Sequence, residues 1–167
     1  MDVTTVQART RADLLAWIGT VCRLVLAGFW LWAGIAKTSD LPAAIRAVNA
    51  YQIMPFSLAQ VVGSALPFVE IGVGLLLLAG LATRVGAIVS VLLLGVFVVG
   101  IASAWARGLR IDCGCFGGGG QLAAGQDPRY GLEIARDLAL LAAAAYLAVR
   151  PLTRFSLDKR LMGTEEQ

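Results

Sequence analysis

Long apolar runs with few polar interruptions make up most of this chain, in place of the half-apolar stripes of a water-soluble bundle. The run "LLAWIGTVCRLVLAGFWLWAGIA", residues 14–36, contains Arg23 as its only charge, and about 20 apolar residues suffice to cross a hydrocarbon core of roughly 30 Å. Residues 58–106 carry only Glu70 and Arg84. As one helix they would measure about 73 Å, so the chain must turn back, and "GLATRVG" at 80–86 supplies the glycines and the charge for that turn. Another run occupies residues 132–149. Between the first two runs, "SDLPAAIRAVNAYQIMPFS" offers Asp40 as an N-cap and Pro42 in the first turn, with an apolar face at Leu41, Ala44, Ile45 and Val48. The pattern predicts an all-α polytopic membrane protein. It is a four-transmembrane-helix bundle (spans 14–36, 58–80, 85–106 and 132–149) with a short interfacial helix between spans 1 and 2 and tails at 1–13 and 150–167, all in one membrane domain.

Composition agrees and narrows the function. With 58% hydrophobic and 15% charged residues and a mean hydropathy of +0.76, there is no room for a separate soluble domain. "AGIAK" at 33–37 faintly resembles a signal-peptide cleavage site, but the apolar run before it is too long and reads as a retained span. The net charge of +3 resides mainly in arginines of tails and turns, where it orients a membrane protein; nucleic acid is not an expected partner. Arg9, Arg11, Arg84, Arg150, Arg154, Lys159 and Arg160 outnumber Lys37, Arg46, Arg107, Arg110 and Arg129 on the other side. That bias predicts cytoplasmic termini in a bacterial inner membrane and an extracytoplasmic loop at 107–131. The chain has no histidine, which argues against haem, zinc and a histidine general base; no metal site is expected.

Two charges fall within the spans. Counted by helix rise, Arg23 and Glu70 reach similar depths from opposite sides, which predicts an Arg23–Glu70 ion pair. It would either fix the register of two helices or line a polar cavity. Glu133, Arg136 and Asp137 open the last span close to one another; Asp137 is the one expected to face the interior, with Lys37 as its neutralising partner.

The loop segment "GLRIDCGCFGGGGQ" at 108–121 holds Cys113 and Cys115 one residue apart. A thiolate is the nucleophile of disulfide exchange, and nearby cations favour it; Arg107 and Arg110 precede the pair, while Asp112 opposes them. A disulfide here closes a very small ring, and Gly114 supplies the backbone freedom. Such a clip closes too short a loop to stabilise by chain entropy, which favours exchange over a purely structural bond. Two thiolates with Asp112 make a poor metal set. Cys22 reads as an inert buried thiol, so electrons from the pair must leave the chain.

"AGIAK", "AVNAYQIMP", "PFVEIGVGLLLLAG", "WARGLRIDCGCFGG" and "ARDLALL" occur in this order, and together they resemble the MauE/DoxX-like family of redox-associated membrane proteins over roughly residues 15–150. The resemblance to the MauE branch rests most on the Arg107–Gly108 and Cys113–Gly114–Cys115–Phe116–Gly117 string. It implies a four-helix membrane protein, linked in MauE to maturation of the disulfide-rich small subunit of methylamine dehydrogenase, with thioredoxin-fold partners. Lys37, Tyr51, Pro55, Glu70, Cys113, Cys115, Phe116 and Arg136 stand at family-like positions, whereas the glycine run after Phe116 looks like a local elaboration. The expected function is a membrane thiol–disulfide oxidoreductase or redox subunit. Cys113 and Cys115 would exchange with an extracytoplasmic thioredoxin-like protein, a membrane quinone would accept or donate electrons, and Arg107 and Arg136 would favour the thiolate while Asp137 or Glu70 handles protons. The direction of electron flow stays open, as does assembly into a membrane complex or homo-oligomer. The alternatives are a non-enzymatic scaffold subunit with a static cysteine clip, and a small-solute transporter built on Arg23 and Glu70.

Overall fold

The computed structural model describes residues 3–123, 125–151 and 153. In chain order these form α1 (Val3–Thr38), α2 (Leu41–Ala50), α3 (Phe56–Ala79), α4 (Thr83–Ala106), the short strands β1 (Ile111–Asp112) and β2 (Gly120–Gln121), and α5 (Tyr130–Val149). Among the described residues, three helical segments are long and apolar enough to cross a membrane: Asp13–Thr38 of α1, α3 and α4. Glu133, Arg136 and Asp137 keep α5 out of that set. The segment expected as an N-terminal tail is helical from Val3 onward and continues α1. Of the expected C-terminal tail, residues 152 and 154–167, including Arg154, Lys159 and Arg160, lie outside the described residues.

Small residues set the spacing of α1 against α3. A Cβ on Gly34 would stand 2.7 Å from the Pro67 carbonyl oxygen, and one on Gly74 would stand 2.8 Å from the Leu31 side chain, so the backbones approach as closely as glycine allows. These contacts fix the stagger of two antiparallel helices. Thr38 ends α1 beside about Leu66 of α3, so the first three turns of α3 project beyond the end of α1. The recess above α1 is filled by α2 and the cysteine loop.

Helix α2 starts where expected: the Asp40 carboxylate accepts from the Ala43 N–H at 2.9 Å, and proline stands in the first turn. Its buried residues, however, are Ala43, Ala44, Ala47 and Ala50, a face rotated from the expected one at Leu41, Ala44, Ile45 and Val48. The alanine face lets α2 press onto α3, where a Cβ on Gly63 would lie 2.7 Å from Ile45 Cα. With that face packed against α3, α2 forms a wall of the bundle.

The turn into α4 uses Gly80 in the left-handed region (φ 66°), with the Leu81 N–H donating to the Leu76 carbonyl at 3.0 Å. Away from the cysteines the core is mostly apolar, with Leu26, Trp30, Leu77, Leu94 and Leu147 fully buried and Arg23 and Ser90 among its buried polar residues. The Trp30 indole N–H donates to Ser90 Oγ at 2.9 Å, and Ser90 Oγ donates to the Gly86 carbonyl. Half-buried Cys22 packs against this core as a free thiol. The Tyr146 hydroxyl donates to the Leu15 carbonyl at 3.2 Å, which sets the end of α5 beside the start of the apolar stretch of α1.

Candidate thiol site at one end of the bundle

The loop between α4 and α5 is built around a two-residue antiparallel ribbon that pairs Ile111 with Gln121 and Asp112 with Gly120. The Tyr130 hydroxyl holds its base, accepting from the Ile111 N–H at 3.1 Å and donating to the Leu109 carbonyl at 2.6 Å. The glycine run is structural. Gly114, Gly117, Gly118, Gly119 and Gly120 all have positive φ, and a Cβ on Gly114 or Gly119 would come within 2.6 Å of Ala47 Cβ. Glycine is therefore required both by conformation and by the closeness of α2.

The loop turns the cysteine pair inward. The Gly114 N–H donates to Asp112 Oδ1 at 2.9 Å, and the Cys115 N–H donates to Cys113 Sγ at 3.4 Å. Both cysteines are free thiols, and their side chains interact directly, Cys113 as the donor. Their environments differ. Cys115 is only 5% exposed, whereas Cys113 is half-buried. The hydrogen bond from Cys113 and then the Arg136 cation hold the Cys115 thiol below its ordinary pKa, against the effect of burial; the same hydrogen bond and burial push Cys113 up. The pair thus carries its first negative charge on Cys115.

Arg136 is the cation of the site. Its guanidinium lies 5.0 Å from the Phe116 ring centre and 5.5 Å from that of Phe29, pairs with Asp137 at 2.8 Å, and reaches the Cys115 sulfur. Arg107 does something else. It donates to the carbonyls of Tyr51, Gln52 and Ser103, tying the α2–α3 connection to the end of α4, so the expectation that it favours the thiolate is corrected. Proximity in sequence had suggested Arg107, but the cation beside the sulfur comes from α5.

The expected Arg23–Glu70 pair is also replaced. Both Glu70 oxygens accept from Lys37 Nζ, at 2.6 and 2.8 Å, and Glu70 is fully buried. Arg23 is buried about 21 Å of helix rise further down α1. The depth count had assumed that the spans begin at one level, which the projection of α3 makes untrue. Lys37 accordingly bonds Glu70 rather than Asp137.

The sequence places Glu133 beside Arg136 and Asp137 but gives it no role at the cysteines. Its carboxylate, the Asp112 carboxylate and the Cys113 sulfur each have a ligand-type atom within 4.8 Å of the others. This is the group of metal-type donors that the described residues bring together, but a raised thiol pKa at Cys113 opposes a thiolate ligand. Glu133 is one helical turn before Arg136 and Asp137, and that spacing was the available signal. Tyr51 lies behind the pair, donating from its hydroxyl to the Cys113 carbonyl at 3.3 Å. Burial, followed by the nearby thiols, pushes its own pKa up, so it stays a neutral donor.

Beside the thiols a cavity of about 200 Å³ opens between α2, α3 and α4, with Lys37, Tyr51, Cys113 and Cys115 among its lining residues. A family model described as methylamine utilisation protein MauE matches residues 15–150. The chain belongs to the MauE family. No individually curated protein and no solved structure matches it significantly. The MauE match runs from the apolar part of α1 to the end of α5 and so takes in every residue of the thiol site. Its apolar helices and its family together make this a membrane protein associated with methylamine utilisation.

Proposed function

We propose that this MauE-family protein is a thiol–disulfide redox protein of the bacterial inner membrane, acting on an extracytoplasmic thioredoxin-like partner. The carrying observation is the asymmetry of the pair: Cys113 is half-buried, the more exposed of the two, and carries the higher pKa, while Cys115 is buried beside Arg136 with the lower one. That is the arrangement disulfide transfer needs. A partner thiolate attacks Cys113 Sγ of the Cys113–Cys115 disulfide, and Cys115 leaves as the better-stabilised thiolate. The partner's second thiolate then attacks its own sulfur in the mixed disulfide and releases Cys113. The Cys113 sulfur takes up a proton at the Glu133 carboxyl beside it. The disulfide ends on the partner, and this chain keeps the Cys113 thiol and the Cys115 thiolate, which becomes a thiol when it takes up a proton released by the partner's thiols.

In this reading α5 is a fourth span. Its charges are drawn toward the bundle, with Asp137 fully buried, and its end is bonded to the start of the apolar stretch of α1, as four antiparallel spans require. An even span count with Arg11 and Arg84 at one end supports cytoplasmic termini and an extracytoplasmic cysteine loop, where oxidising conditions sustain disulfides.

The test is trapping. Cys115→Ser is expected to accumulate a reductant-sensitive adduct between Cys113 and a soluble thioredoxin-fold protein, whereas Cys113→Ser is not, because Cys115 is out of a folded partner's reach. Absence of an adduct with either variant would refute exchange and leave the scaffold reading.

A further inference from the structure

We infer that the cavity beside the thiols binds a membrane-soluble quinone, which accepts the two electrons released when Cys113 and Cys115 form their disulfide; this rests on the exchange reading above and names the oxidant that renews the pair.

Depth is the first argument. Along α4 the cavity is lined by Leu93, Val96, Phe97 and Gly100, six to thirteen residues before Ala106, or roughly 9–20 Å of helix rise. The thiols therefore line a space that extends well down an apolar helix. The mouth is the second argument. Ile53 and Val96 line it and are 55% and 64% exposed, and the surface of α4 beside them continues as exposed Leu92 and Val99. A ligand entering there comes from lipid, not from water.

Size and polarity select the class. An apolar cavity of about 150 Å³ admits benzene, so about 200 Å³ takes a single substituted ring and excludes a flavin or a haem. Most of the lining is apolar, but two donors converge on the thiol end. Lys37 spends two N–H groups on Glu70, and the third has no partner among the described residues. The Tyr51 hydroxyl makes only a long bond to the Cys113 carbonyl. A flat ring bearing carbonyl oxygens matches two donors at the end of an apolar slot. Phe97, whose ring centre is 6.0 Å from Lys37 Nζ, supplies a wall for it.

The chemistry balances. Two thiols give up two electrons and two protons as the S–S bond forms, and the quinone takes both electrons and both protons at its ring oxygens to become a hydroquinone. The disulfide is then available for transfer to the partner, which fixes the direction of flow as oxidation of the partner.

The test uses the reduced full-length protein in lipid nanodiscs under anaerobic conditions with decylubiquinone as the probe. Loss of quinone absorbance should match loss of alkylatable thiols at one quinone per Cys113–Cys115 pair, and Cys115→Ser should abolish both. Val96→Trp, a change at the lipid-exposed mouth, should slow the reaction by roughly tenfold or more. A photoreactive azidoquinone should label peptides of α2, α3 or α4 that line the cavity. Failure of wild-type protein to reduce the quinone, a wild-type rate in Val96→Trp, or labelling elsewhere would overturn the assignment and point to a lipid tail as occupant. The quinone assay needs no partner and the trapping assay needs no quinone. An adduct without quinone reduction therefore sinks this inference alone, whereas quinone reduction without an adduct sinks the exchange reading and keeps the cavity assignment.

Discussion

Lys37–Glu70 and Arg136–Asp137 are both cation–carboxylate pairs with a fully buried carboxylate, close to the same cysteines, yet one is closed and the other open. Lys37 has a side chain only 7% exposed and bonds both oxygens of its partner. Arg136 is 27% exposed and meets Asp137 through a single oxygen, while Asp137 Oδ2 has no hydrogen bond. The rest of its guanidinium is left for two aromatic rings and the Cys115 sulfur. The closed pair, its carboxylate fully bonded, ties α1 to α3 at the stagger that Gly34 and Gly74 set; the open pair keeps positive charge available where a thiolate forms.

The largest effects should come from breaking the closed pair. Lys37→Met strands a buried carboxylate and is expected to destabilise the bundle by about 3–5 kcal/mol, read as a fall in the thermal unfolding midpoint of the purified protein. Lys37→Met combined with Glu70→Met removes both charges and should recover most of that loss. If the double variant is as unstable as the single one, the pair is not the self-contained device described.

Next comes the loop that delivers the thiols to the open pair. Gly114→Ala places a side chain at φ +70° and within 2.6 Å of Ala47 Cβ. The left-handed backbone alone costs about 1–2 kcal/mol, and the contact adds to it. Ala47→Gly should relieve the contact part but not the backbone part, so the combined variant is expected to lie between wild type and Gly114→Ala in stability.

The same contrast shows what could be read from the sequence. Runs of 20 or more apolar residues force helices, and "GLATRVG" forces a turn, so α1, α3 and α4 were legible. The partner of Glu70 was not, because counting depth along each span assumes a common starting level, and it is Gly34 and Gly74 that set the stagger. Cys113 and Cys115 were legible as the chemistry of the loop. Their inequality was not, since it depends on α5 bringing Arg136 to one sulfur and Glu133 to the other. The glycine run read as an elaboration because nothing in its sequence shows that α2 packs against it.

Arg136→Met tests the open pair directly. The cation lowers the pKa of Cys115, so removing it should move thiolate formation in the reduced pair to higher pH, followed by thiolate absorbance. Cys115 then becomes a poorer leaving group. Disulfide transfer to a partner should slow accordingly, because a thiol of higher pKa leaves less readily. An unchanged titration would mean that the guanidinium serves the aromatic rings alone.

Asp137→Asn should do the opposite, and by less. The Asp137 carboxylate works against the Cys115 thiolate, and its effect is smaller than that of Arg136. Its loss should therefore shift thiolate formation to lower pH, while an amide of the same shape can still accept from the Arg136 N–H that bonds Oδ1 at 2.9 Å. Opposite signs for Asp137→Asn and Arg136→Met would establish that the sulfur responds to the net charge of the open pair. Shifts of the same sign would mean that both substitutions act by loosening the start of α5, and the distinction between a closed structural pair and an open electrostatic one would then fail.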